Sequence, residues 1–231
     1  MIYKRQIKQL YPYIKCMSGL IKTETYLEQL RRLPQKGKRI IARKDGDHII
    51  VYQAYNPPIA QYAVTHQQLG GPHYNFNRLS WIKPGFLWMM FRSGWATKEH
   101  QEHILAITVP LIHFKTMLTQ AVFSAYTPAM YATPEEWKAQ QEATDVRLQW
   151  DPDHDPYGHE EDRRAIQVGL KGDMLKRFCT EWIVKIEDIT PFVNAEYEKV
   201  ERHDIEFLRV PYEEVIEITE PEIIKRIGMT V

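Results

Sequence analysis

Apolar residues near the start of the chain return every three or four positions. Ile7, Leu10, Tyr11 and Ile14 form one such series and Leu20, Tyr26, Leu27 and Leu30 a second, the spacing at which side chains share one face of a helix. Pro12 and Gly19 interrupt them, since proline lacks the amide hydrogen and glycine pays the largest backbone entropy in a helix interior. Residues 1–33 are therefore expected to form two short helices joined by a turn, with "LPQKGKR" as the linker that ends them.

From Arg39 the pattern changes. The runs "RIIAR" and "HIIVYQAY" are rich in β-branched residues and flank "KDGD", where Asp45-Gly46 supplies the positive φ of a tight hairpin turn. "NPPIAQYAV" opens a short helix, with Asn56 as N-cap and two prolines in the first turn, where a missing N–H costs nothing. "RLSWI" reads as a strand and Pro84 as the start of a helix carrying "GFLWMMFRSG". "HILAITVP" is another strand, residues 113–125 a helix, and Thr133 with Pro134 and Glu136 the start of the next. "VRLQW" and "RAIQVGL" are strands around an acidic loop, "GDMLKRFCTEW" is a helix and "WIVKIEDIT" a strand. The remainder is expected to be a charged tail with one short strand at "IEFLRV". Strands and helices alternate irregularly and hairpins mix with crossovers. The fold class is α+β, with mostly antiparallel sheets, packed helices, a helical appendage over residues 1–38 and one domain over 39–231.

Charge adds one feature. The 231 residues carry 30 basic and 30 acidic side chains, so no net field draws the protein to nucleic acid or to a membrane. Residues 1–44, however, hold twelve Lys or Arg against Glu24 and Glu28, a basic arm suited to phosphates or equally to the chain's own acidic remainder. Two cysteines in no metal-ligand spacing argue against a disulfide scaffold or a zinc site. Neither a signal peptide nor a run of 18 apolar residues is present, which predicts a soluble, cytoplasmic protein.

The candidate chemistry lies in polar groups at positions where apolar ones are the rule. Trp81, Trp88 and Trp95 fall seven apart; Trp88 and Trp95 read as core and Trp81, at a strand end, as the wall of a cleft. Lys83 stands where a helix begins and Arg92 one turn beyond Trp88; a buried cation needs an anion or several acceptors. A snorkelling Lys83 and an Arg92 paired with Glu102 are the plainer alternative. On "VYQAY", alternation sets Val51, Gln53 and Tyr55 on one face and Tyr52 on the other. Gln149 and Gln167 repeat that central glutamine on two further strands, and Asp151 follows beside Trp150. Asp151, Asp153 and Asp155 have the opening spacing of a calcium loop, but Pro156 stands where its glycine is required, so a solvated acidic loop is expected. Nucleotide-loop, dinucleotide, zinc-protease and serine-hydrolase motifs are all missing.

The residues "VYQAYNPPIA", "WIKPGFLWMMFRSGWATK", "QWDPDHD", "AIQVGL" and "EWIVKIEDIT" together resemble the domain of unknown function 4291 family, over about residues 39–193. The order of elements is also similar to the NAD-cleaving fold of ADP-ribosyltransferases. That resemblance implies a cleft in which Tyr52, Gln53 and Tyr55 anchor the nicotinamide end of NAD, Trp81 stacks, Lys83 and Arg92 neutralise the pyrophosphate, and Asp151 or Gln167 acts at the ribose. Gln167 stands where those enzymes usually carry glutamate, which leaves the acid to Asp151. The expected function is NAD-dependent transfer of ADP-ribose, with nucleic acid as acceptor through the basic segment; the alternative is a nucleotide- or nucleic-acid-binding module without chemistry.

Overall fold

The computed structural model describes residues 21–230; the first expected helix, and the basic residues before Ile21, lie outside the described residues. Strand β1 (Thr23–Thr25) leads into helix α1 (Tyr26–Arg32), whose start is fixed by a reciprocal cap: Glu28 N donates to Thr25 Oγ1 at 3.3 Å and Thr25 N to Glu28 Oε2 at 3.1 Å. Short strands β2 (Gly37–Lys38), β3 (Ile41–Ala42) and β4 (Lys44–Asp45) precede the long strand β5 (His48–Tyr55). The Asp45-Gly46 turn forms as expected, with Gly46 at φ 56° and β4 antiparallel to β5. Ile41 and Ala42 leave this hairpin, however, and pair with a strand near the C-terminus.

Helix α2 (Pro57–His66) follows, and Ile59 N donates to the Asn56 side chain at 3.3 Å. Strand β6 (Ser80–Ile82) precedes helix α3 (Phe86–Ser93), which begins after Gly85 rather than at Pro84. Strand β7 (His103–Pro110) runs into helix α4 (Leu111–Thr119) and strand β8 (Val122–Phe123). The helix is shorter than the expected 113–125: Val122 and Phe123 pair parallel with the strand carrying Arg147 and Leu148, so sheet bonds replace the last helical turn. Helix α5 (Pro134–Glu142) starts under its Thr133 cap.

Strands β9 (Val146–His154) and β10 (Glu160–Leu170) form the longest ladder, placing Gln149 opposite Gln167 and Trp150 opposite Ile166. Most of the expected acidic loop is strand, leaving only a short turn around Tyr157. Helix α6 (Gly172–Arg177) widens into a π turn over Phe178–Trp182 before strand β11 (Lys185–Asp188). The expected charged tail is instead folded: helix α7 (Thr190–Glu201), a 3₁₀ turn at Ile205–Phe207, strands β12 (Arg209–Pro211) and β13 (Glu214–Val215), and helix α8 (Pro221–Ile227). Val193 and Val200 on α7, and Ile223 and Ile227 on α8, are buried.

The class is α+β with mostly antiparallel pairing. One sheet has the order β2-β10-β9-β8 with β6 also on β10, and a second the order β11-β7-β5-β4. The second sheet is covered on both faces, which explains why β5 is apolar almost throughout. Ile49, Val51, Leu105 and Ile107 face a core shared with Leu148, Ile166 and Val168 of the first sheet; Ile50, Tyr52, Ile104 and Ala106 face Phe86, Met90 and Val193. Each fully buried aliphatic side chain of this kind contributes roughly 1.5–3 kcal/mol. Residues 23–38 pair with the rest through β1 on β12 and β2 on β10.

Candidate functional site

The two sheets meet where β6 ends. Tyr52 N donates to Lys83 O at 2.7 Å and Lys83 N to Tyr52 O at 3.1 Å, a single antiparallel bridge that ties β5 to the chain leaving β6. On the other side, β6 pairs with β10, setting Trp81 opposite Gly169. A Cβ at Gly169 would stand 3.1 Å from the Trp81 ring, so the glycine is what lets the indole lie against the strand.

Between these elements opens a cavity of about 630 Å³, within the range of small-molecule and cofactor sites. Its walls carry Gln53 and Tyr55 from β5, Trp81 and Lys83 from the β6 end, Arg92 and Met89 from α3, and Gln149 and Gln167 from the β9–β10 ladder. Of the eight residues assigned to the NAD cleft from the sequence, six therefore share one hollow: Gln53, Tyr55, Trp81, Lys83, Arg92 and Gln167. Tyr52 does not: it is 1% exposed, faces the opposite core and sets its ring edge-on to Phe86 at 5.7 Å. Its contribution to the site is the backbone bridge that holds Lys83. Asp151 is not in the cavity wall either, but its two oxygens bind the amides that are: Gln149 Nε2 donates to Oδ1 at 2.6 Å and Gln167 Nε2 to Oδ2 at 2.7 Å.

The electrostatics follow from burial. Lys83 is 5% exposed, so it does not snorkel to the surface, and among the described residues no carboxylate forms an ion pair with it. Desolvation, aided by the Arg92 cation and opposed by Asp151, lowers its amine to about 8. Arg92 has no ion pair with Glu102; that carboxylate accepts from His100 N at 2.9 Å. Burial raises the Asp151 carboxyl above its usual range, while the Gln167 and Gln149 amides and the Lys83 charge pull it back. Gln53 is 4% exposed: Nε2 donates to Ser80 Oγ at 2.9 Å and to Trp81 O at 3.0 Å, and Oε1 has no partner among the described residues. Burial pushes the Tyr55 phenol up to about 12, keeping it a neutral hydroxyl.

Sequence reasoning missed Arg78, His73 and His100, which also line the cavity. The first two sit in the polar loop between α2 and β6, His73 at its middle and Arg78 near its end, and no periodicity marks such positions. His100 belongs to the turn after α3, where Trp95, Ala96 and His100 take φ of 56°, 66° and 64°, left-handed conformations that side chains avoid without a compensating reason. Of the three tryptophans, Trp88 and Trp95 are buried and Trp81 alone lines the cavity. The three aspartates of the calcium-like spacing diverge: Asp151 to the amides, Asp153 to Arg163 Nε at 2.6 Å, and Asp155 to the turn amides of Tyr157 and His159.

Fold and cavity together define an α+β domain built around a polar, cation-bearing hollow at the seam of two sheets. The chain belongs to the family described as a domain of unknown function (DUF4291), whose profile matches residues 39–216. No curated protein matches the sequence. Among the described residues, no helix is long and apolar enough to cross a membrane.

Proposed function

We propose that the cavity binds NAD and that the protein transfers its ADP-ribose, with nucleic acid as the acceptor. The observation that carries this reading is the convergence of Gln53, Lys83, Arg92 and Gln167 on one hollow, with Asp151 bound directly behind Gln167. Lys83, Arg92 and Arg78 supply positive charge for a pyrophosphate; a buried, unpaired Lys83 gains most from such an anion. Trp81 offers a flat face for a base or pyridine ring, and Gln53 stands in the same wall with its Oε1 lacking a partner among the described residues.

In the transfer, the bond between the ribose C1′ and nicotinamide breaks, its electron pair leaving on the neutral pyridine. Positive charge then develops at C1′ and its ring oxygen. The Gln167 carbonyl, polarised by donation of its amide to Asp151, and the Asp151 charge itself stabilise that centre. An acceptor oxygen or nitrogen bonds to C1′ and releases its proton to water. NAD and nucleic acid are both available in the cytoplasm, the compartment this reading implies.

A second reading, binding without chemistry, is favoured by one observation: Asp151 is engaged by two amides and does not itself line the cavity. Incubation with NAD and mixed RNA or DNA separates the two. Transfer predicts sustained nicotinamide release and labelled nucleic acid, both lost in Asp151→Asn. Saturable NAD binding without nicotinamide selects the binding module, and no binding at all rejects both.

A further inference from the structure

Lys83 is a more unusual group than phosphate binding requires. Phosphate binding asks of a lysine only a point charge that reaches the anion, yet this one is carried on a bridge between two sheets, is 5% exposed, and opens into the cavity. The charged groups facing it are Arg92 from α3, which disfavours its proton, and Asp151 from β9, which favours it; Arg78, His73, His100 and Glu99 stand farther round the same wall. A desolvated lysine beside a second cation is the environment that turns an ammonium into a nucleophilic amine.

We propose that Lys83 is a carbonyl-reactive amine that forms a Schiff base with an aldehyde carrying a phosphate group. The Nζ lone pair adds to the carbonyl carbon, and the resulting carbinolamine loses its oxygen as water together with the two amine protons, leaving a C=N bond. Amine and aldehyde give imine and water, so no further reactant is needed. Arg92 and Arg78 hold the phosphate, fixing the aldehyde against Nζ. The inference goes beyond the NAD reading, because an aldehyde phosphate and a dinucleotide share only the phosphate, and it stands or falls separately.

The probe is pyridoxal 5′-phosphate, added to the full chain and reduced with borohydride, with the modified peptides mapped by mass spectrometry. At neutral pH Lys83 has a neutral fraction on the order of a hundredfold larger than an ordinary lysine, so it is expected to be modified at least about tenfold faster than the exposed lysines. The rate should rise as pH passes through about 8, and inorganic pyrophosphate should protect the site. Lys83→Arg should abolish the fast phase. Arg92→Gln, a change at an exposed position that leaves the core untouched, should slow it by removing both the phosphate anchor and the charge that disfavours the proton. Modification spread over exposed lysines with Lys83 no faster, or a fast phase that survives Lys83→Arg, overturns the proposal whatever NAD does.

Discussion

At Lys83 the ammonium form is penalised by burial and by Arg92, and supported only by an Asp151 whose oxygens are already engaged. Affinity for a phosphate-bearing ligand should therefore depend on pH with a definite sign. Below about 8 the cation is present and binding is strong; as pH rises through that value the proton is lost and the apparent Kd weakens, by roughly tenfold for each 1.4 kcal/mol of lost charge interaction. Titration of ADP-ribose at pH 6.5 and 9 checks this, and Lys83→Met should flatten the dependence. For Asp151, replacement by Asn keeps the size and one acceptor while removing the charge. The transfer reading expects nicotinamide release to fall about a hundredfold or more with NAD affinity changed less than about threefold, a split between rate and binding that a merely structural role would not give. Much of this site was legible because each residue broke a local rule: a glutamine amid apolar neighbours, a lysine at a buried helix entrance. Asp151 and Gln167 were found but their linkage was not, since it depends on the register that sets Gln149 opposite Gln167. Tyr52 entered the cleft through the resemblance alone, and the alternation along β5 that sets it opposite Gln53 is what the fold keeps.

The elements that hold the site make their own predictions. Helix α3 has no side chain of its own capping its start; Phe86 N donates instead to Glu213 Oε1 at 2.7 Å. Glu213 is 3% exposed, and desolvation, with Asp153 nearby, raises its carboxyl to about 8. A carboxyl whose folded value lies above its unfolded one stabilises the fold at low pH and loses that contribution as pH rises from about 4.5 to about 8. Chemical denaturation across this range should show stability declining, and Glu213→Gln should remove most of the slope. On β10, Gly169→Val would push a side chain into the Trp81 indole; indole fluorescence should change and NAD affinity drop, at a stability cost of about 1–3 kcal/mol. Elements with strong local signals were readable from the chain: the Asp45-Gly46 turn, the Asn56 and Thr133 caps, the β-branched run of β5. Those fixed by distant partners were not. Val122 and Phe123 continue an apolar helical series and become strand because β9 offers hydrogen bonds. Helix α7 was hidden among charges, although Val193 and Val200 mark its buried stripe.

Across the molecule, the segments beyond residues 39–216 are tied in by pairing and packing: β1 to β12, β2 to β10, and α8 through buried Ile223 and Ile227, with Ile227 O accepting from Trp150 Nε1 at 2.7 Å. Ending the chain after Glu220 should therefore destabilise it by at least about 2–5 kcal/mol, the scale of losing one large buried aliphatic side chain; a chain with a loose charged tail would show no change in urea midpoint. The basic arm is the part the sequence describes best by charge alone, and its residues before Ile21 lie outside the described ones. What unites the whole is a seam between two sheets at which amides and the cations Lys83, Arg92 and Arg78 are gathered with, among the described residues, no ion pair to any of the three cations. The most direct measurement is calorimetric titration of ADP-ribose into the protein at pH 7. Saturable binding at one site, weakened at least about tenfold by Lys83→Met, is the expected result. A flat titration, or binding indifferent to Lys83, would contradict it.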